Sequence, residues 1–254
     1  MHGHYKTELK GYVLARSLSA PGRSFTARAK NSTFRILALT LSVSCRIQRK
    51  PENFATGLQT MRCTFGTAME KYLQQTLGEN YGKKLWSRIE TAVPRMALQL
   101  PKYKSRLTRT AASHILPVIA LYKALKEDGR EDAFDFIYRY MTEEVGGANN
   151  RKFRSMESKV PGFFSLYKAV YWFILHHNDM CAYEFGTKDK EHFNFFVTRC
   201  LWLDVCSQFD VPELTVCWCH ADTAGFKDMK TFEFLRSVTL AEDGKPCDYC
   251  FVRK

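Results

Sequence analysis

From Thr67 onward, apolar residues recur at three- and four-residue spacing. Met69, Tyr72, Leu73 and Leu77, then Leu85, Trp86, Ile89 and Val93, mark two helices with a break near Gly78 and Gly82. A third stripe, Leu107, Ala111, Ile115, Val118, Ile119, Tyr122 and Leu125, predicts a helix over about 105–126, closed by Asp128-Gly129. Residues 131–145 supply a fourth, ending at Gly146-Gly147. Residues 163–176, F-F-S-L-Y-K-A-V-Y-W-F-I-L-H, form a fifth that is apolar on nearly every face, so it is central or lines an apolar pocket.

After His177 the period changes from 3.6 to 2. Residues 181–186 and 192–198 read as strands around the polar turn T-K-D-K-E, with Tyr183/Phe185 and Phe193/Phe195 alternating against polar neighbours. Two short helices follow, about 201–209 and 212–224, the second opened by Pro212 in a first-turn position. Residues 231–240 and 247–252 then make another hairpin across E-D-G-K-P. The pattern is of the α+β class: N-terminal helices packed on an antiparallel sheet of about four strands, with a two-helix insertion between the hairpins.

Composition narrows the classes. An apolar content of 45% in 254 residues is ample for a core. The longest apolar runs, 115–121 and 169–175, fall far short of the ~18 residues that a membrane-spanning helix needs, so no membrane role is expected. The net charge of +12 suggests nucleic acid until its distribution is read. Residues 1–60 carry ten Lys/Arg against Glu8 and Glu52, while the remainder holds 28 basic against 24 acidic side chains, a balance without a phosphate-tracking stripe. Residues 1–60, rich in Arg and Ser and interrupted by S-A-P-G-R-S, are expected to be a basic, poorly ordered extension: a targeting segment, or an upstream stretch ahead of an alternative start at Met61 or Met69. Residues 61–254 are then one α+β domain.

The chemistry concentrates late in the chain. Of nine cysteines, six lie between Cys200 and Cys250; an odd total and no compact disulfide framework fit a reducing cytoplasm. Cys200 and Asp204 are four residues apart, as are Glu213 and Cys217, while Cys219 and Asp222 are three apart, so each pair shares a helix face if both members are helical. Three readings compete. Zinc would find ligands in C-W-C-H and C-D-Y-C, but Cys247 and Cys250 on a strand point to opposite faces, and C-x-C on a helix diverges by about 200°. A carboxylate among Asp204, Glu213 and Asp222 could activate water or a thiol. Or the thiols pack as small hydrophobes, which leaves the buried acids in need of partners.

The run T-R-C-L-W-L-D-V-C-S-Q-F-D-V-P-E-L-T-V-C-W-C-H-A-D, the later F-L-R-S-V-T-L and the closing G-K-P-C-D-Y-C-F resemble the L-2-amino-thiazoline-4-carboxylic acid hydrolase family. The shared positions are Arg199, Cys200, Asp204, Cys206, Pro212, Glu213, Leu214, Thr215, Cys219, Asp222, Arg236, Thr239, Leu240, Cys247 and Asp248, and the likeness extends over about 105–252. Val211, where the family commonly has cysteine, and Cys250 depart from the pattern. The resemblance implies hydrolytic opening of 2-amino-thiazoline-4-carboxylate to N-carbamoyl-L-cysteine, on a route to cysteine. Asp204, Glu213 and Asp222 would then share the acid and base roles, with Cys200 or Cys219 as a possible nucleophile. Arg199 and Arg236 would hold the substrate carboxylate, and His114, on an apolar helix beside Pro117, is either a third contact or a core histidine. No cofactor is required, although a divalent metal is admissible; the partner is a small molecule, and oligomeric state is left open. The helices and the G-x-x-C-x-[FY] close also resemble 4-vinyl reductase-type small-ligand domains, which would bind without turnover; clustering of the three acids is the discriminator. An interaction subunit would instead show an exposed apolar patch on helix 163–176.

Overall fold

Two glycines near the start have different duties. In this computed structural model, which describes residues 66–254, α1 (Gly66–Leu77) and α2 (Glu79–Ala97) are separated at Gly78, whose φ of 88° a side chain would resist. Gly82 is no break. It lies inside α2, where a Cβ would stand 2.5 Å from the backbone nitrogen of Gln74, so its bare backbone lets the two helices touch. The extension expected over 1–60, and the domain start at 61, lie outside the described residues.

The third helix runs as α3 (Ser105–Thr110), a π-helical segment (Ala111–Ile115) and α4 (Leu116–Glu127). Pro117 has no N–H to offer the carbonyl four residues back, and the ladder widens in the turn just before it. Asp128 ends α4 and accepts hydrogen bonds from Tyr81 (2.7 Å) and Arg88 (2.8 Å), which fasten α2 to that end.

The fourth helix does not end at Gly146-Gly147. α5 (Ala133–Arg139) continues through a second π-helical segment (Tyr140–Gly146) into α6 (Gly147–Glu157), and both glycines are helical, with φ of −61° and −60°. They resemble a helix stop, but Gly146 serves packing: a Cβ there would lie 2.8 Å from the carbonyl oxygen of Ala221 on α9 (Thr215–Gly225).

α7 (Phe163–His176) leads into β1 (Cys181–Lys188) and β2 (His192–Cys200). The two-helix insertion follows as α8 (Leu201–Gln208), a 3-10 turn (Pro212–Leu214) and α9, before β3 (Phe232–Leu235) and β4 (Cys247–Arg253). The sheet is antiparallel, in the order β1-β2-β4-β3. β3 is shorter than the pattern over 231–240 suggests. Beyond Leu235 the ladder gives way to the Asp248 carboxylate, which accepts the backbone N–H of Ser237 (2.9 Å) and of Val238 (2.8 Å).

Alternation places Phe193, Phe195 and Val197 on one sheet face with Phe232 and Phe251, where Phe163, Phe164 and Tyr167 of α7 cover them. Each such side chain contributes about 1.5–3 kcal/mol through burial. α7 is less uniform than its composition suggests. Phe173 is 51% exposed, and buried Lys168 uses its ammonium to hold the carbonyls of Asp189 and Lys190 in the β1–β2 turn. A second core joins α1, α2, α4, α5 and α8 with α9 through Leu73, Leu85, Ile119, Ile137, Val205 and Cys217. Among the described residues no helix is long and apolar enough to cross a membrane.

Candidate active site

β2 contains a bulge. Cys181 pairs with Cys200 and Ala182 with Arg199, but Tyr183 pairs with Val197, so Thr198 is the extra residue. Strict alternation from Phe193 would send Arg199 inward. The bulge reverses this: Cys200 packs with Val197 against the sheet core, and Arg199 is exposed. There it pairs with Asp204 at 3.1 Å.

Cys200 is also the N-cap of α8, in extended conformation and without a side-chain cap hydrogen bond. Its thiol is hydrogen-bonded to Cys181, which additionally accepts the Tyr183 hydroxyl and the Leu201 N–H. The bond from Cys200 holds the Cys181 thiol below its ordinary pKa against the opposing effect of burial. Donation to Cys181, then burial, pushes Cys200 up.

Cys219 and Asp222, one turn apart on α9, do share a neighbourhood. Asp222 Oδ2 accepts the Tyr249 hydroxyl at 2.8 Å and lies 3.9 Å from Arg236 Nη1. Arg236 is only 4% exposed. It donates to Tyr249 Oη at 3.3 Å, to Thr223 Oγ1 at 3.0 Å and to the Cys219 carbonyl, while its guanidinium lies over the rings of Phe234 and Tyr249. Burial raises the pKa of Asp222; Arg236 and Tyr249 offset part of that. Yet 49% of its side-chain surface is accessible. Asp222 is thus packed among these side chains yet remains open to a small molecule.

Tyrosines complete these surroundings. Burial raises the phenols of Tyr167, Tyr171 and Tyr249, and the nearby Asp222 charge adds to each. A nearby Cys181 charge also raises Tyr171. Tyr167 Oη is fully buried and has no hydrogen-bond partner among the described residues.

Other residues singled out from the sequence lie elsewhere. The spacing argument for Cys200/Asp204 requires both to be helical, but Cys200 belongs to the strand end. Glu213, in the 3-10 turn, is exposed and bonded to Tyr122, while Cys217 and Cys206 lie in the helical core, where burial pushes both thiols up to about 12. The three acids are therefore not brought together. His114 lies in the first π-helical segment, and burial lowers its pKa to about 4, so it is neutral near pH 7. Cys247 faces the sheet core and Cys250 the other face, as strand geometry requires. Among the described residues no three His, Cys, Asp or Glu side chains are grouped to hold a metal ion.

A groove of about 690 Å³ is lined in part by Arg236 and Thr223. On its wall His220 links Tyr138 (2.7 Å) to Glu242 (3.0 Å), tying α5, α9 and the loop after β3 together.

Sequence reasoning missed Cys181 and the tyrosines. The signal was C-A-Y at 181–183 and C-D-Y at 247–249: at period 2, each sets a thiol and a phenol on one face.

The profile of the L-2-amino-thiazoline-4-carboxylic acid hydrolase family matches residues 108–251, more than half of the chain. No curated protein and no solved structure matches. The matched span runs from α3 into β4 and includes Cys181, Cys200, Cys219, Asp222, Arg236 and Tyr249. The chain belongs to the L-2-amino-thiazoline-4-carboxylic acid hydrolase family.

Proposed function

We propose that this protein hydrolyses a small cyclic amidine, L-2-amino-thiazoline-4-carboxylate, to N-carbamoyl-L-cysteine. The observation that carries this reading is Asp222, an accessible carboxylate with raised pKa that is bonded to the Tyr249 phenol and set beside Arg236 and the Cys219 thiol. The exocyclic amine and ring nitrogen of a protonated amino-thiazoline present two parallel N–H donors, which a carboxylate accepts in a bidentate pair. Held this way, carbon 2 is electron-poor, and an added oxygen displaces the ring sulfur: the C–O bond forms, the C–S bond breaks, and sulfur leaves as a thiol with a proton. A carboxyl group with raised pKa suits that proton movement. Arg236 is the guanidinium nearest the amidine position and the cation best placed for the substrate carboxylate. Hydrolysis of this kind calls for no cofactor.

The test is incubation of the full chain with L-2-amino-thiazoline-4-carboxylate, following thiol release and the product mass. Asp222→Asn should lose about 100-fold or more in turnover. Asp204→Asn and Glu213→Gln separate this reading from one in which all three acids act. Absence of thiol release by the wild type, with or without divalent metal, overturns the hydrolase. Saturable binding without release points instead to a small-ligand module of the 4-vinyl reductase type.

A further inference from the structure

The two edges of the sheet differ. β1 forms one, and its pairing with β2 slips twice, between Ala182 and Tyr183 and between Phe185 and Lys188, an irregularity that blunts the edge against further pairing. β3 forms the other. It pairs with β4 in unbroken register from Phe232 to Leu235 and, among the described residues, has no strand on its other side. Every second residue of an antiparallel edge turns its N–H and C=O outward, so β3 presents a regular row of backbone donors and acceptors. The groove of about 690 Å³ runs along this edge. Phe232, Glu233 and Phe234 all line it, as consecutive residues do at a strand's edge, since their side chains alternate between faces. His220, Thr223 and Ala224 form the opposite wall; at spacings of three and four they are one face of α9. Buried Phe226 and Met229, with half-buried Phe234, make part of the lining apolar. A strand edge set opposite a helix face is the geometry in which an extended chain adds as a further strand. With α9 as the far wall, the space admits one strand rather than the sheet edge of a second copy.

We propose that this chain's own residues 37–47 occupy the groove and pair with β3 as a fifth strand. The segment lies outside the described residues, and its sequence points to the groove: L-A-L-T-L-S-V-S-C-R-I sets Leu, Leu, Leu, Val, Cys and Ile at every second position, with small or polar residues between. Eleven residues in strict period 2 specify a strand with one apolar face, and that face fixes its register. In the groove Leu39 and Leu41 meet Phe226, Met229 and Phe234, while Thr40 and Ser42 face water. The chain also enters the described structure close by. α1 begins at Gly66, and Tyr72, six residues on and about 9 Å along the helix, packs its ring on Phe136 at 5.5 Å and Tyr140 at 4.9 Å. Tyr138, on the opposite face of that same stretch of helix and about 10 Å across, lines the groove. Residues 48–65 bridge up to about 60 Å when extended, well beyond this separation, and such a tether holds the segment at an effective concentration on the order of millimolar. Arg236 and Thr223 also line the groove, so the docked segment lies against the arginine of the candidate site. The pairing concerns the sheet edge and holds or fails whatever the substrate.

Amide hydrogen exchange on the full chain, read by peptide mass, decides the matter. In the wild type, amides of residues 37–47 and the edge amides of 232–235 should exchange at least about tenfold more slowly than in an unstructured peptide. Leu39→Asp combined with Leu41→Asp should speed exchange in both segments by about tenfold or more, while residues 193–197 keep their protection. Thr40→Asp combined with Ser42→Asp adds the same charge on the water-facing side and should leave both segments protected. Fast exchange across 37–47 in the wild type overturns the docking, and this reading needs no variant to fold. Loss of protection by both variant pairs alike overturns the strand, because only an alternating segment separates Leu39 and Leu41 from Thr40 and Ser42. Protection of 37–47 with no response at 232–235 to the leucine substitutions places the segment elsewhere and overturns the pairing with β3. Protection of 37–47 that is lost on dilution assigns the groove to the segment of a second copy and overturns pairing within one chain.

Discussion

The Tyr249 hydroxyl donates to Asp222 Oδ2 at 2.8 Å, and its oxygen accepts from Arg236 Nη1 at 3.3 Å. One phenol thus couples the acid to the arginine behind it, with Phe195 stacked on its ring at 4.8 Å to fix the plane.

Tyr249→Phe keeps that stack and removes the bond. Burial raises Asp222, and Tyr249 and Arg236 are what hold it down, so losing the phenol raises it further. If the amidine is held by ionised Asp222, kcat/KM climbs with pH through this pKa. The acid limb should move to higher pH by about one unit, the worth of one hydrogen bond to a charged group. A pH–rate profile with an unmoved acid limb would show that Asp222 does not govern that limb.

The same shift makes Asp222 a liability to the fold. Its folded pKa is above the unfolded value, so the native state binds its proton more tightly. Below the unfolded value both states are protonated and there is no penalty. As pH rises from there through the folded pKa, stability falls, and at pH 7 the full cost is present. Asp222→Asn has no charge to bury. It should lose turnover yet melt at the same or a higher temperature than wild type at pH 7, with the difference vanishing near pH 3. Thermal unfolding at the two pH values checks this; a variant less stable at pH 7 than at pH 3, relative to wild type, would contradict it.

The order of elements was legible because it depends on period alone. Phe193, Phe195 and Val197 alternate, Leu107 to Leu125 recur every three or four residues, and these elements formed where their patterns lay. What spacing could not convey was any departure from a regular period. The Thr198 bulge exchanges the faces of Arg199 and Cys200, so the residue chosen as a carboxylate clamp points outward and the thiol inward. Cys200 caps a helix without belonging to it, which voids the four-residue relation to Asp204. Cys219 and Asp222, both well inside α9, obey the rule and meet. Cys181 was invisible for another reason. Its partner is nineteen residues away across a hairpin, and only the register brings the two sulfurs together.

Gly146 and Gly147 should respond to alanine with opposite signs. At an ordinary helical position, Gly→Ala stabilises by up to about 1 kcal/mol, because alanine loses less backbone freedom on folding. Gly147 is such a position: its Cβ would meet only the flexible end of Arg151, at 3.4 Å. At Gly146 the Cβ would be 2.8 Å from the Ala221 carbonyl oxygen and from the Ala224 Cβ, and neither can yield unless α9 moves. Overpacking of this kind costs about 1–3 kcal/mol, which outweighs the gain in propensity. Gly146→Ala should therefore lower the unfolding midpoint by roughly 3–10 °C, and Gly147→Ala should leave it level or raise it slightly. Ala221 lies between Cys219 and Asp222 on α9, so the strain reaches Asp222 as well. Gly146→Ala should lower turnover even at temperatures where the protein is fully folded, whereas Gly147→Ala should not. Equal midpoints for the two variants would mean that α9 is free to shift, and that the close crossing at Gly146 does not set the position of Asp222.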